Sequence, residues 1–247
     1  MKHKKIFSLL IFSFVLLIIG CSDDKSTEPI VEKTLDQLYH AAVLDAMVAE
    51  ENEIINTLTP IIPSNSNLVW MGEDTARYVL MLVFTKYASS YPVGDTITTW
   101  WDNTWSTAVP ELKNWIKKNP VPTEKVILRT EQLLGLPHNS GNEWMVEVWV
   151  KSADLLRPAY ENDIETTSSG IYFSETVTQD YITWFNGNII YSYYPVKNKN
   201  PYPWTRLGYT FDWGNKISEV GLSEFLIKKN SRVIVKSVKS IAEYLTE

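Results

Sequence analysis

The chain has 247 residues and a formal net charge of −6, with 23 basic and 29 acidic side chains. An acidic protein is repelled by phosphate backbones and by anionic lipid, so we expect no nucleic-acid partner. Cys21 is the only cysteine, which excludes a fold held by disulfides, but the chain is long enough to bury a sizeable core without them.

Residues 1–20 have the pattern of an export signal. The basic segment Met1–Lys5 precedes an apolar run from Ile6 to Ile19. At 1.5 Å per residue this run is about 21 Å long as a helix, too short to cross a hydrocarbon core of about 30 Å. We therefore predict a cleaved signal peptide rather than a transmembrane anchor. Its removal leaves 20 basic against 29 acidic residues, a net charge of −9.

The apolar run ends in Ile18-Ile19-Gly20-Cys21, which resembles the lipobox of bacterial lipoproteins. In that family the signal is cut before the cysteine, which carries a diacylglyceryl thioether and an amide-linked acyl chain such as palmitate. Two acyl chains suffice for stable anchoring in a membrane. The resemblance implies lipidation of Cys21; the alternative is an ordinary cleavage site beside an incidental cysteine.

Residues 21–33 are polar and acidic, and we predict that they form a tether between the lipid and the domain. The pair Asp23-Asp24 resembles the signal that directs some lipoproteins to the outer face of the outer membrane. The alternative is a solvated linker that happens to be acidic. We expect an exported protein anchored in the cell envelope, at the outer membrane and exposed on the cell surface.

The domain over residues 34–247 contains four segments with apolar residues at helical spacing. The first, Leu35–Leu58, predicts one long helix or two short ones, which Pro60 and Pro63 end. The others are a short helix from Glu111 to Pro120, a helix over 126–134 capped by Thr123 and ended by Gly135, and a helix over 181–189 weakened by Gly187.

Five segments have the patterns of strands. Arg77–Thr85 is nearly all apolar, as in a strand covered on both faces. Glu143–Lys151 alternates, which predicts a strand with one face in the core. The C-terminal strands are predicted over 207–212, 224–228 and 232–238, with a hairpin turn at Lys229-Asn230-Ser231. The predicted fold class is α+β: helices packed on a mainly antiparallel sheet in a single domain.

The sequence lacks the usual motifs of catalysis and cofactor binding. After removal of the signal only His40 and His138 remain, and the domain has no cysteine, so we predict no metal site and no cofactor. His138 and Ser140 lie too close in sequence to align readily for proton transfer, and no Gly-x-Ser-x-Gly motif is present. Phosphate-binding and dinucleotide-binding glycine motifs are also missing.

Acid–base hydrolysis stays open, because a glycosidase needs only two carboxyl groups about 5 to 9.5 Å apart. The candidate acids are Glu143, Glu147, Asp163, Glu165 and Asp212. The alternative for each is a solvated or ion-paired side chain.

The segment from Tyr202 to Trp213 combines large aromatic side chains with an arginine and an aspartate. In the first interpretation the segment is a ligand site: its rings stack on a sugar or anchor a protein partner, and Arg206 and Asp212 bind hydroxyls or charged groups of the ligand. As a structural unit, the same residues form core aromatics with an internal Arg–Asp pair. The candidate ligand-binding residues are Trp204, Arg206, Tyr209, Asp212 and Trp213.

Arg157 precedes the acidic loop Glu161–Glu165, and we expect it to pin this loop through a carboxylate.

These observations favour a surface lipoprotein without catalytic activity, which binds a glycan or a protein partner through an aromatic-rich face. A cell-envelope hydrolase with paired carboxylates is the alternative, and an envelope assembly component is a third hypothesis.

Overall fold

The computed structural model describes residues 32–73, 77–197 and 199–246. The predicted signal sequence, Cys21 and the predicted tether up to residue 31 lie outside these ranges. Lys33–Glu247 forms one compact unit, and its class is α+β, as predicted. In the described part of the chain, no helix is both long and apolar enough to cross a membrane.

The described ranges contain five α-helices, four of them at the predicted positions. They are α1 (Leu35–Ala46), α2 (Glu111–Lys118), α3 (Val126–Leu133), α4 (Gln179–Tyr193) and α5 (Ile241–Leu245).

Helix α1 is shorter than the predicted 35–58 segment. Thr34 caps its start, in a reciprocal pair of hydrogen bonds with Gln37, and the helix ends at Ala46. The apolar residues beyond it lie in extended chain, where the N–H of Leu58 donates to the carbonyl of Thr167. Tertiary hydrogen bonds and burial of Leu58 therefore override the helical spacing.

Helices α3 and α4 also differ in part from prediction. A short 3₁₀ turn, Thr123–Lys125, precedes α3, and the Thr123 side chain caps neither. Gly135 ends α3 as expected, with a positive φ of 66°. Helix α4 starts at the Thr178 cap and continues past the exposed Gly187.

The main sheet has eight strands and is antiparallel throughout the described residues. Its order is β3-β10-β5-β2-β4-β9-β6, with β1 paired to β2. Strands β7 and β8 form a separate two-stranded sheet. The strands are β1 (Trp70–Met71), β2 (Tyr78–Thr85), β3 (Thr96–Thr98), β4 (Thr104–Ala108), β5 (Trp144–Lys151), β6 (Leu155–Leu156), β7 (Tyr209–Phe211), β8 (Val220–Ser223), β9 (Phe225–Ile227) and β10 (Arg232–Ser240).

Both faces of the sheet are covered by core. On one face, Met81 of β2 packs in a cluster with valines of β5 and β10. On the other face, Leu80 and Leu82 pack in a cluster with side chains of α2, α3 and α5. The nearly continuous apolar sequence of β2 reflects this double coverage, as predicted.

The predicted hairpin at residues 229–231 is wrong. A turn is present, and Asn230 has a positive φ of 66°. However, β9 and β10 do not pair, because β4, β2 and β5 lie between them. In a flat sheet four strand spacings would separate them by about 19 Å. The short connection through a tight turn can join them only because the sheet curves, and Thr99 beyond β3 bonds to Asn230 and Ser231.

Arg157 is fully buried directly after β6. Its Nε donates to the carbonyl of Asp163 (3.2 Å), and Nη2 donates to those of Thr59 (3.0 Å), Ile164 (3.2 Å) and Thr166 (3.1 Å). The residue does pin the acidic loop, but through backbone carbonyls rather than the predicted carboxylate. Burial lowers the pKa of Arg157 to about 10, an effect that the negative charges of Glu111 and Asp163 partly offset. It therefore stays charged at neutral pH.

Candidate functional site

An open cleft of about 680 Å³ lies where the main sheet meets α4 and the segment before β7. The end of β2, the Trp100–Thr107 segment, the last turns of α4 and residues 202–204 line it. Its volume is within the range of about 300 to 1,000 Å³ that is typical of sites for small molecules.

Aromatic rings form much of the cleft lining. Trp100 is 71% exposed and packs edge-on against Trp101 (5.8 Å between ring centroids). Trp105, on β4, is 39% exposed and meets the buried Trp204 edge-on at 6.2 Å. Such rings offer flat apolar surface that loses little side-chain entropy on binding.

A stacked pair stands at the α4 side of the cleft. The rings of Tyr191 and Tyr202 lie 6.2 Å apart with an angle of 14° between their planes, and Tyr191 is 57% exposed. Because Tyr191 is in the last turns of α4 and Tyr202 is in the segment before β7, the cleft depends on the docking of these two elements.

Two buried polar groups in the cleft lining have no hydrogen-bond partner among the described residues. They are Oε2 of Glu224, between β8 and β9, and Nδ2 of Asn188, on α4. The Glu224 residue as a whole is partly accessible because it faces the cleft, whereas Oε2 is not. Burial raises the pKa of the Glu224 carboxyl well above its usual value.

Two other buried carboxyl groups differ from Glu224 because the protein supplies hydrogen-bond donors to their oxygens. Glu111 accepts hydrogen bonds from the Thr107 hydroxyl (2.8 Å), the Ser223 N–H (2.9 Å) and the Thr59 hydroxyl. Glu131 accepts two from Ser140. These two carboxylates hold loops together, whereas Oε2 of Glu224 has no hydrogen-bond partner among the described residues.

Of the five predicted ligand-binding residues, only Trp204 lines the cleft. It is 4% exposed, and its indole N–H donates to the carbonyl of Pro158 (3.0 Å). Its ring also contacts Phe185 of α4, with 4.7 Å between centroids. Trp204 thus belongs both to the core and to the cleft wall.

Arg206 and Tyr209 lie in the core rather than on an exposed face. Nη2 of Arg206 donates to the carbonyl of Ala46 (2.7 Å), and its guanidinium lies over the ring of Tyr193. The Tyr209 hydroxyl donates to the carbonyl of Glu53 (3.0 Å). Both side chains tie the segment that follows α1 to the rest of the fold.

Asp212 and Trp213 are buried as well. Asp212 accepts two hydrogen bonds from Arg129, at 2.6 and 2.8 Å, so the internal Arg–Asp pair exists but its arginine is Arg129 and not Arg206. The indole N–H of Trp213 donates to the carbonyl of Leu136 (2.8 Å), and its ring packs against Tyr39. For these residues the structure agrees with the structural interpretation of the segment.

The other candidate acids of the sequence do not line the cleft either. Glu147 is paired with Lys236 (2.9 Å). Glu143, Asp163 and Glu165 are exposed. No three side chains of histidine, cysteine, aspartate or glutamate converge within residues 32–73, 77–197 and 199–246 as a metal site would require.

Sequence reasoning missed the residues that build the cleft. Trp100, Trp101 and Trp105 form a tryptophan-rich segment in an otherwise polar stretch, which was a visible signal. Glu224 interrupts the run Leu222–Ile227, where an acid between buried strand residues indicates a special role. Asn188 gave no comparable signal.

No protein-family model, curated protein or solved structure matches this chain.

Proposed function

We propose that this chain is a lipid-anchored protein of the cell envelope that binds a glycan in the aromatic cleft. The observation that carries the proposal is the set of partly exposed rings, with Trp100 and Trp105 foremost, around a cavity of about 680 Å³. A small ligand fits this concave site better than the flat surface of a protein partner would.

The mixture of groups in the cleft favours a sugar over a wholly apolar ligand. Pyranose rings have apolar C–H faces, which stack on tryptophan, and hydroxyl edges, which need hydrogen-bond partners. The cleft supplies such partners beside its rings, among them Asn103, Asn142 and Asn188. A lipid chain would leave these amides unpaired at a cost in free energy.

The hydrolase alternative has less support. Hydrolysis by paired carboxylates needs two acids on opposite sides of the scissile bond. Among the described residues that line the cleft, Glu224 is the only carboxylic acid. Binding alone requires no second acid, so it is the better-supported activity.

Replacing the exposed tryptophans should weaken glycan binding. Trp100→Ala and Trp105→Ala remove stacking surface, and we expect each to lower affinity at least about 10-fold, equivalent to about 1.4 kcal/mol. The measurement is retardation of the protein in affinity gels that contain envelope or dietary polysaccharides.

Trp144→Ala is the matched control, because Trp144 is 37% exposed, close to the 39% of Trp105, but lies outside the cleft. It should be retarded like the wild type. If no polysaccharide retards the wild type, or if all three variants behave alike, the cleft is not a glycan site.

The anchor is tested separately. Cys21→Ala should abolish incorporation of labelled palmitate and release the protein from the membrane fraction, because it removes the sulfur that would carry the lipid. Intact-mass measurement of the wild type should show a chain that starts at an acylated Cys21. An unlipidated amino terminus in the wild type would refute the anchor and leave the cleft proposal standing.

A further inference from the structure

Oε2 of Glu224 is the one carboxylate oxygen among the buried side-chain atoms of the described residues that lack a hydrogen-bond partner. The backbone N–H of this residue donates to the carbonyl of Gly208 (2.9 Å), which fixes the main chain, while Oε2 is buried and has no hydrogen-bond partner there. Buried polar groups in native proteins are almost always satisfied, so such an exception calls for an explanation.

No cationic side chain of the described protein neutralises this carboxyl within the cleft. Neither lysine nor arginine is present among the residues that line the cleft. The phenols of Tyr181 and Tyr193 on α4 interact electrostatically with Glu224. Burial raises the pKa of both, and the charge of Glu224 adds to this, so both stay neutral at physiological pH. The remaining titratable groups of the lining are Tyr87, Tyr91, Tyr191 and Tyr202.

The cleft around Glu224 has the composition of a cation site. Tryptophan and tyrosine rings attract an ammonium group placed over their faces, and the attraction grows when water is excluded. When it ionises opposite a cation, the buried Glu224 carboxyl adds a negative charge to this field. Anionic ligands are disfavoured by the same arrangement.

We propose that the cleft recognises a ligand with a protonated amine, and that Glu224 is the counter-ion of this amine. The inference rests on the proposed glycan function and narrows it to sugars with a free amino group. The unpartnered amide of Asn188 supplies a donor to a neighbouring hydroxyl of the same ligand.

The test compares three tetrasaccharides that share a β-1,4 backbone: the glucosamine tetramer, the N-acetylglucosamine tetramer and cellotetraose. Isothermal titration uses the full-length chain in detergent at low salt and neutral pH. We expect the glucosamine tetramer to bind wild type at least about 10-fold more tightly than the other two. Glu224→Gln, nearly identical in shape, should remove this preference for the free-amine tetramer.

The free energy of unfolding, measured as a function of pH, tests whether Glu224→Gln acts through the loss of the carboxyl group's charge. Burial raises the pKa of Glu224, so its contribution to wild-type stability is complete below the unfolded-state value of about 4.5 and is lost as pH rises through the raised value. The other buried acids make the same contribution to the pH dependence of stability in the wild type and in Glu224→Gln. The stability of the wild type relative to Glu224→Gln should therefore fall as pH rises, and saturating glucosamine tetramer should offset the loss.

The outcomes separate the two proposals. If Trp105→Ala abolishes binding of all tetramers while Glu224→Gln leaves every affinity unchanged, the glycan site stands and the amine inference is wrong. Equal binding of the acetylated and free-amine tetramers to the wild type also overturns the inference. If the wild type binds none of the three, the amine inference is wrong, and the affinity gels alone decide the glycan proposal.

Discussion

Replacing Arg157 by methionine should lower the free energy of unfolding by about 3 to 5 kcal/mol. Methionine fills much of the volume but donates no hydrogen bond, so the carbonyls of Thr59, Asp163, Ile164 and Thr166 lose a buried donor. A loss of this size is typical when one partner of a buried charged network is removed. Urea denaturation at pH 7 is the measurement, and the midpoint should fall strongly.

Arg232→Met is the matched control for this experiment. Arg232 lies at the start of β10 with its side chain exposed. Surface substitutions of this kind change stability by no more than about 0.5 kcal/mol. Equal urea midpoints for the two variants would contradict the role of Arg157 as the internal tie of the 157–167 segment.

Replacing Gly221 by alanine should lower the free energy of unfolding by about 2 to 3 kcal/mol, in the upper part of the range of about 1 to 3 kcal/mol for overpacking a close-packed core. A Cβ at this position in β8 would lie 2.5 Å from the carbonyl oxygens of Leu133 and Thr210 and would also meet the Thr210 hydroxyl. Main-chain atoms cannot move aside as a flexible side chain can. The β7–β8 pair must therefore separate from the end of α3, and thermal unfolding should report a lower Tm.

Gly187→Ala is the control with the opposite expected sign. Gly187 is exposed within α4, and no atom lies within 4 Å of a Cβ added there. Alanine in a helix interior is about 0.5 to 1 kcal/mol more favourable than glycine. A drop in Tm for both variants would show that steric contact is not what distinguishes Gly221.

Thr210 and Phe211 of β7 also line the cleft, so the Gly221→Ala variant should lose ligand affinity together with stability. By the same reasoning, Gly187→Ala should leave affinity unchanged.

The central strands could be predicted because their residues match one local pattern. Strand β2 is apolar on both faces since both faces are buried. Strand β5 was located correctly, but the prediction of a single core face is wrong, because Met145 and Trp149 on its second face pack in the helix-covered cluster. Helix α3 has apolar residues at helical spacing and a glycine with positive φ at its end. For these elements local preference and tertiary environment agree.

Elements that depend on distant partners could not be predicted in the same way. Ile54, Ile55 and Leu58 have helical spacing, but the N–H groups of Leu58 and Ile61 donate to carbonyls of the 164–167 segment instead of continuing a helix. The turn at Asn230 has the composition of a hairpin, yet β9 pairs with β4 and β6 while β10 pairs with β3 and β5. Neither fact is contained in a short window of sequence.

The candidate site was predicted only in part for a related reason. The aromatic segment 202–213 was correctly singled out as unusual, but most of its polar groups bond to carbonyls and to Arg129 inside the core. The cleft forms where separate elements converge. Tyr202, Pro203, Trp204, Thr210 and Phe211 of this segment line it, but of the five predicted ligand-binding residues only Trp204 does. Sequence composition identifies such residues without indicating which of them a ligand can reach.

The two outermost strands of the sheet order are very short: β3 has three residues and β6 has two. Long exposed edges offer unpaired N–H and C=O groups to neighbouring molecules and promote aggregation. Because β3 and β6 are short, they offer few unpaired backbone groups to a neighbouring molecule. The proposed anchor would concentrate the protein in the plane of a membrane. Short edge strands would then keep neighbouring copies from pairing their sheets.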